Sequence, residues 1–167
     1  MLLDSVGIHS MVISGDAITP NDNSSDGHAW NIVWSEGTPY HIDFTFDANL
    51  SAKKGIIHYD YYNLSDIQIR RDHLFSDPGI VIGKENDWFR ENNLFFSKKK
   101  DLKEHIRKSL KRKDGYITFR LPFTNDSKST IDDISELIKS EMSLFIFKSF
   151  SYSLSINEAQ MVIYIYL

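Results

Sequence analysis

Residues 29–34 and 40–46 are dense in aromatic and β-branched side chains, and they are separated only by Ser35-Glu36-Gly37-Thr38. Such runs favour pleated, half-buried backbone. The four residues between them have turn chemistry, with a glycine for positive φ. The segment therefore reads as a β-hairpin, and its register constrains everything nearby because side chains alternate faces with period two. A two-residue turn at Ser35-Glu36 sets position 28 opposite position 43. A turn at Glu36-Gly37 makes Asp43 the diagonal neighbour of His28. Both registers place His28 and Asp43 on one face, at about 4.5–5.5 Å between Cβ atoms when opposite and roughly 7 Å or less on the diagonal.

An imidazole and a carboxylate within hydrogen-bond reach have a chemical use. The acid fixes the tautomer and raises the basicity of the ring, which leaves the second nitrogen free to deprotonate a thiol or hydroxyl. His28 and Asp43 are accordingly the candidate catalytic residues, as base and orienter. The same spacing also serves a purely structural pair. The nucleophile is the missing part: the sequence contains no cysteine, and no Ser or Thr stands in a recognisable activated context. His41 shares the face of His28 and Asp43 in either register, so these three form an alternative two-His-one-carboxylate ligand set of the kind used for non-haem iron. The expectation is nevertheless no metal and no cofactor. His9, His58, His73 and His105 show no partner spacing. Trp30, Trp34, Tyr40, Phe44 and Phe46 fit sheet core or the lining of a cleft.

The chain has 167 residues, 41% of them hydrophobic and 13% aromatic, enough for one good core or two small ones in a globular protein. No stretch of eighteen apolar residues and no charged-then-apolar leader occurs, so no transmembrane segment or signal peptide is expected. The character changes near Phe75. Ser76-Asp77-Pro78-Gly79 and the polar residues 86–93 read as a linker over 75–93. A second module is expected over 94–167: a short strand at 94–96, a helix over 97–113 capped by Ser97, a strand at 116–123, a helix over 130–142 capped by Thr130, and two strands at 145–155 and 159–167. That order implies an antiparallel sheet covered on one face by two helices, and with the hairpin it gives an α+β class.

Residues 98–113 carry nine Lys or Arg and two acids, whereas the rest of the chain carries ten basic and twenty-one acidic residues. This helix has a narrow apolar stripe, Leu102, Ile106 and Leu110, at i, i+4, i+8, which marks a core-facing edge with a solvated basic face. An anionic polymer is a possible partner for that face. No aromatic is interleaved for base stacking, so no nucleic acid is expected.

Three segments share a further pattern: Leu2-Leu3-Asp4-Ser5-Val6-Gly7-Ile8 running on to Ser14-Gly15, then Gly27-His28-Ala29-Trp30-Asn31, then Asp43-Phe44-Thr45-Phe46-Asp47. Together they resemble the core of bacterial transglutaminase-like domains, members of the papain-like Cys-His-Asp superfamily. Tyr62-Asn63-Leu64-Ser65-Asp66 and Arg70-Arg71-Asp72-His73 resemble the segment that follows that core, so the likeness runs from residue 2 to about 73. It implies thiol-dependent acyl transfer or hydrolysis at an amide (protease, deamidase or transamidase), with His28 as catalytic histidine, Asp43 as its acid, and a protein or peptide as substrate. It also points to an extracellular or cell-surface setting. The family cysteine would fall roughly two helical turns before Leu2. The expectation is thus a truncated transglutaminase-like core over 1–74, inactive as given, with Gly7 ending the remaining helix. The alternative is a non-catalytic domain that binds peptides or cell-surface polymers.

Overall fold

A computed structural model of the protein describes residues 2–18, 24–80, 82–144 and 151–167. It is an α+β fold with antiparallel sheets, in two units that divide between Asn92 and Asn93.

The first unit opens with a short helix, α1 (Leu2–Ser5), after which Gly7 takes a positive φ of 81°. Strands β1 (Ser10–Ile18), β2 (Ser25–Ser35) and β3 (Thr38–Ile42) follow. Glu36 and Gly37 both have positive φ, 51° and 76°, as a two-residue turn matched to the right-handed strand twist requires. This selects the second of the two hairpin registers, with Ile32 opposite His41 and Val33 opposite Tyr40. The strand expected to continue through Phe46 stops at Ile42. Asp43 is instead the N-cap of helix α2 (Phe44–Lys54), and its carboxylate accepts from the amides of Thr45 and Phe46. The alternating aromatics suggested a strand, but Phe46 and Leu50 are also at i, i+4, and both pack on the core from one helical turn. Gly55, at φ 69°, ends α2 with its amide on Ser51.

The chain then forms α3 (Asp66–Ile69), started by a Ser65/Gln68 capping box, and β4 (His73–Leu74). Strand β4 pairs with β1 and completes a sheet of order β3-β2-β1-β4. Its core joins Ile13, Trp30, Ile32, Tyr61, Leu64 and Ile69.

The segment expected to be a linker, 75–93, belongs to this unit as far as Asn92. Ile82 is in its core, the amide of Ile82 binds Asp66 Oδ2, and Asp87 caps the short helix α4 (Trp88–Glu91) while accepting from Gln68 Nε2. Its polar residues thus serve as caps and buried hydrogen-bond partners, which composition alone cannot distinguish from a solvated linker.

The second unit contains α5 (Lys99–Arg112), β5 (Tyr116–Arg120), α6 (Ser127–Ser143), β6 (Ser153–Asn157) and β7 (Val162–Tyr166). The sheet is antiparallel, ordered β5-β7-β6. Leu102, Ile106 and Leu110 of α5 and Ile134, Leu137 and Ile138 of α6 form one core with Ile117, Phe119, Ile163 and Ile165 of the sheet. The expected strand at 94–96 is a single parallel bridge, Phe95 to Arg120. Helix α5 begins after Lys98 with no side-chain cap, not at Ser97. Helix α6 begins three residues before Thr130, because Asp126 caps the amide of Ser129. Strand β5 ends at Arg120, short of 123, and the last two strands begin later than expected, at Ser153 and Val162. Residues 145–150 of the expected strand lie outside the described residues.

Not all of the basic face of α5 is free. Lys103 and Arg107 both meet Glu141 of α6, at 3.0 and 2.8 Å, and the Glu141 side chain is fully buried. Burial opposes its charge, but the hydrogen bonds from Arg107 and Lys103 prevail and hold the carboxyl below the ordinary glutamate range. Arg107→Ala leaves Glu141 short of one partner, so chemical denaturation is expected to show a loss of about 1–2 kcal/mol. A loss indistinguishable from that of an exposed Lys108→Ala would contradict this. Among the described residues, no helix is long and apolar enough to cross a membrane.

Candidate active site

One face of the first sheet carries His28, Trp30 and Ile32 on β2, Ile13, Gly15 and Ala17 on β1, His41 on β3, and His73 on β4. Gly15 lies opposite His28 and Ala17 opposite His73. The two smallest side chains thus occupy the strand between two histidines, and their imidazole centroids approach to 5.7 Å across β1. A Cβ on Gly15 would lie 2.2 Å from the Leu74 carbonyl oxygen and 3.1 Å from the Trp30 ring, so this position requires glycine.

Asp43 lies between the two histidines. His28 Nε2 donates to Asp43 Oδ2 at 2.6 Å, and His73 Nε2 meets the same oxygen at 3.0 Å. The other oxygen, Oδ1, is fixed by the two amides at the start of α2, and the Asp43 amide donates to the Tyr61 carbonyl. Side-chain exposure is 18% for His28, 1% for Asp43 and 0% for His73. The two sequence candidates are therefore in direct contact, with only His28 reaching solvent.

His73 was not singled out by spacing, yet it completes the arrangement. Its Nδ1 lies 2.8 Å from Asp72 Oδ1, and the Tyr61 hydroxyl donates to Asp72 Oδ2 at 2.6 Å. Burial works against a charge on His73, but the hydrogen bonds to Asp43 and Asp72 outweigh it and raise its pKa. As an imidazolium it donates to a carboxylate from each nitrogen. For Asp43 too, burial is the largest influence and favours the neutral acid. The hydrogen bonds from His73, His28 and the Phe46 amide overcome it and hold the carboxyl low. Asp43 is thus an oriented anion within a line running Tyr61, Asp72, His73, Asp43, His28. The only sequence signal for its inner half was Arg70-Arg71-Asp72-His73, a fragment of the resemblance.

His41 is not part of this group. It is fully buried, accepts from Trp30 Nε1 on Nδ1 at 3.0 Å, and donates from Nε2 to Asp66 Oδ1 at 2.9 Å. Burial lowers its pKa. The alternative ligand set His28, His41 and Asp43 shares a sheet face, but His41 faces Trp30 and Asp66. A neutral, doubly satisfied His41 fixes the Trp30 indole, which meets His73 edge to face at 4.8 Å. Phe46 closes the other side, with its ring 5.0 Å from His28 and 5.1 Å from His73.

A second acid of α2, Asp47, lies one turn beyond Asp43. It is buried and accepts from the Tyr61 amide at 3.0 Å. Burial, reinforced by the nearby Asp60 carboxylate, pushes its pKa up to about 8. The Asp43 and Asp47 pair, identical in type and four residues apart, is driven to opposite charge states by surroundings: two imidazoles for one, another carboxylate for the other. No family model matches the chain, and no curated protein matches it.

Proposed function

We propose that the first unit carries the base and its orienter of a transglutaminase-like, papain-like site for thiol-dependent acyl transfer or hydrolysis at an amide. The observation that carries this reading is the 2.6 Å contact of His28 Nε2 with an Asp43 carboxylate that is itself fixed on both oxygens. In this mechanism a thiolate attacks the amide carbonyl. His28, which keeps Nδ1 for the reacting groups while Nε2 is held by Asp43, takes the thiol proton and returns it to the leaving amine. Asp43 holds the ring in that tautomer and stabilises the imidazolium, and His73 holds Asp43. A protein or peptide amide is the substrate class. The 167 residues contain no cysteine, so the thiol comes from outside them, and these residues alone are expected to give no amidase, deamidase or transamidase turnover above background.

The test is to express the chain behind the coding sequence that precedes it in its gene. A cysteine at a helix start there should alkylate rapidly near neutral pH, because the helix N-terminus and a protonated His28 favour the thiolate. His28→Ala should slow alkylation by about tenfold or more, and Asp43→Ala less. A cysteine indifferent to His28→Ala, or a preceding sequence without one, would overturn the enzyme reading. The peptide-binding reading, which the cysteine-free composition favours, would then stand.

A further inference from the structure

His28 on β2, Asp43 at the cap of α2 and His73 on β4 each offer a ligand atom within 4.8 Å of the other two, and His28 Nε2 and His73 Nε2 both meet Asp43 Oδ2. We propose that these three atoms form a site for one divalent transition-metal ion, with Zn2+ the best match. The inference does not rest on thiol chemistry and concerns what the cluster binds when no proton bridges it.

Two imidazole nitrogens and a carboxylate oxygen are a donor set that Zn2+ accepts, with one position left for water. The groups behind the donors are also in place. His73 Nδ1 is held by Asp72, which is held by Tyr61, and Asp43 Oδ1 is held by the amides of Thr45 and Phe46. Support of this kind orients metal ligands and selects which atom faces the ion. Here it leaves only His73 Nε2 and Asp43 Oδ2 free to converge. The present separations of 2.6 and 3.0 Å are hydrogen-bond lengths. Ligands on a tetrahedral zinc with bonds near 2.0 Å are about 3.3 Å apart, so the ion enters as the two contacts with Asp43 Oδ2 open by about 0.7 and about 0.3 Å and the two imidazole nitrogens, within 4.8 Å of each other, settle to that spacing. His28, the one member of the three that reaches solvent, can make most of that movement, and its solvent-facing side admits the ion and its water.

The proton balance is simple. The ion replaces the protons on both Nε2 atoms. The one on His28 is recovered at Nδ1, so the ring stays neutral, and the one between His73 and Asp43 passes to solvent, giving one proton released per ion when His73 starts as an imidazolium. With Nδ1 protonated, His28 can no longer act as a base. In an active form of the protein, the metal would therefore be inhibitory.

The experiment uses the tag-free 167-residue chain after chelator treatment. Zn2+ is titrated in competition with a chromophoric chelator, and Co2+ is added separately for its visible absorption. The expected result is one ion per chain with a micromolar or tighter Kd, intense Co2+ bands of low coordination number, and about tenfold or greater weakening in a folded His28→Ala variant. His105→Ala, in the second unit, should change nothing. Should His28→Ala fail to fold, 15N spectra of the wild type decide: Zn2+ must shift the Nε2 resonances of both His28 and His73. Absence of one-to-one binding below millimolar concentrations, a Kd indifferent to His28→Ala, or unmoved Nε2 resonances would each overturn the proposal. Because no readout involves turnover, a negative result leaves the thiol reading to its own alkylation test.

Discussion

Asp47→Asn is expected to make the protein progressively more stable than the wild type as pH rises from about 4 to 8, with little difference only below about pH 4. The Asp47 carboxyl titrates at about 8 in the folded state, against 3.8 for the unperturbed group, because burial and the Asp60 carboxylate disfavour its charge. Between those values the native state holds a proton that the unfolded chain has lost. Stability is therefore undiminished below about pH 4 and declines as pH rises towards 8, by on the order of 5 kcal/mol in all. The Asn amide oxygen can still accept from the Tyr61 amide, which now binds Asp47 Oδ1, and has no proton to lose. Urea midpoints for both proteins from pH 5 to 9 should diverge, with the variant ahead at the top of the range. Other titrating groups are common to the two and cancel in the difference. A difference constant across that range would show that Asp47 is not held neutral by the fold.

Gly15→Ala is expected to cost roughly 3 kcal/mol or more, and to damage the site before it unfolds the unit. The added Cβ would overlap the Leu74 carbonyl oxygen at 2.2 Å, a backbone atom of the strand that carries His73. Relief requires β4 to move off β1, and His73 then leaves Asp43. Two measurements check this: the denaturation midpoint, and the 15N shifts of His73, which should lose the signature of an imidazolium held between two carboxylates. An Ala variant as stable as the wild type, with unchanged His73 shifts, would mean that the close approach at Gly15 does not hold β4 in place. Ala17→Val, opposite His73, is a milder version of the same experiment.

The contrast between His28 and His73 shows what could be read from the residues and what could not. His28 and Asp43 are joined by a hairpin whose turn, Glu36-Gly37, needs only local chemistry, and period-two alternation then places both on one face. The same locality made the Leu102, Ile106 and Leu110 stripe legible as the buried edge of α5. Residue types common to two structures carry no such information: Phe44 and Phe46 fit a strand as well as the helix that Asp43 caps, and the polar residues 86–93 fit a linker as well as the buried segment in which Asp87 accepts from Gln68.

By itself, then, the sequence determined the α+β class, the β2–β3 hairpin with its shared His28 and Asp43 face, and the amphipathic α5. These follow from interactions between near neighbours, whose geometry is set by side-chain period and turn chemistry. Tertiary structure alone decided that His73, thirty residues beyond Asp43, shares its carboxylate oxygen, that His41 serves Trp30 and Asp66 instead, and that Asp43 and Asp47 differ in charge. Each of these depends on which distant groups are brought together and removed from water when β4 docks on β1. Burial and charge proximity belong to the assembled core and have no counterpart in local pattern.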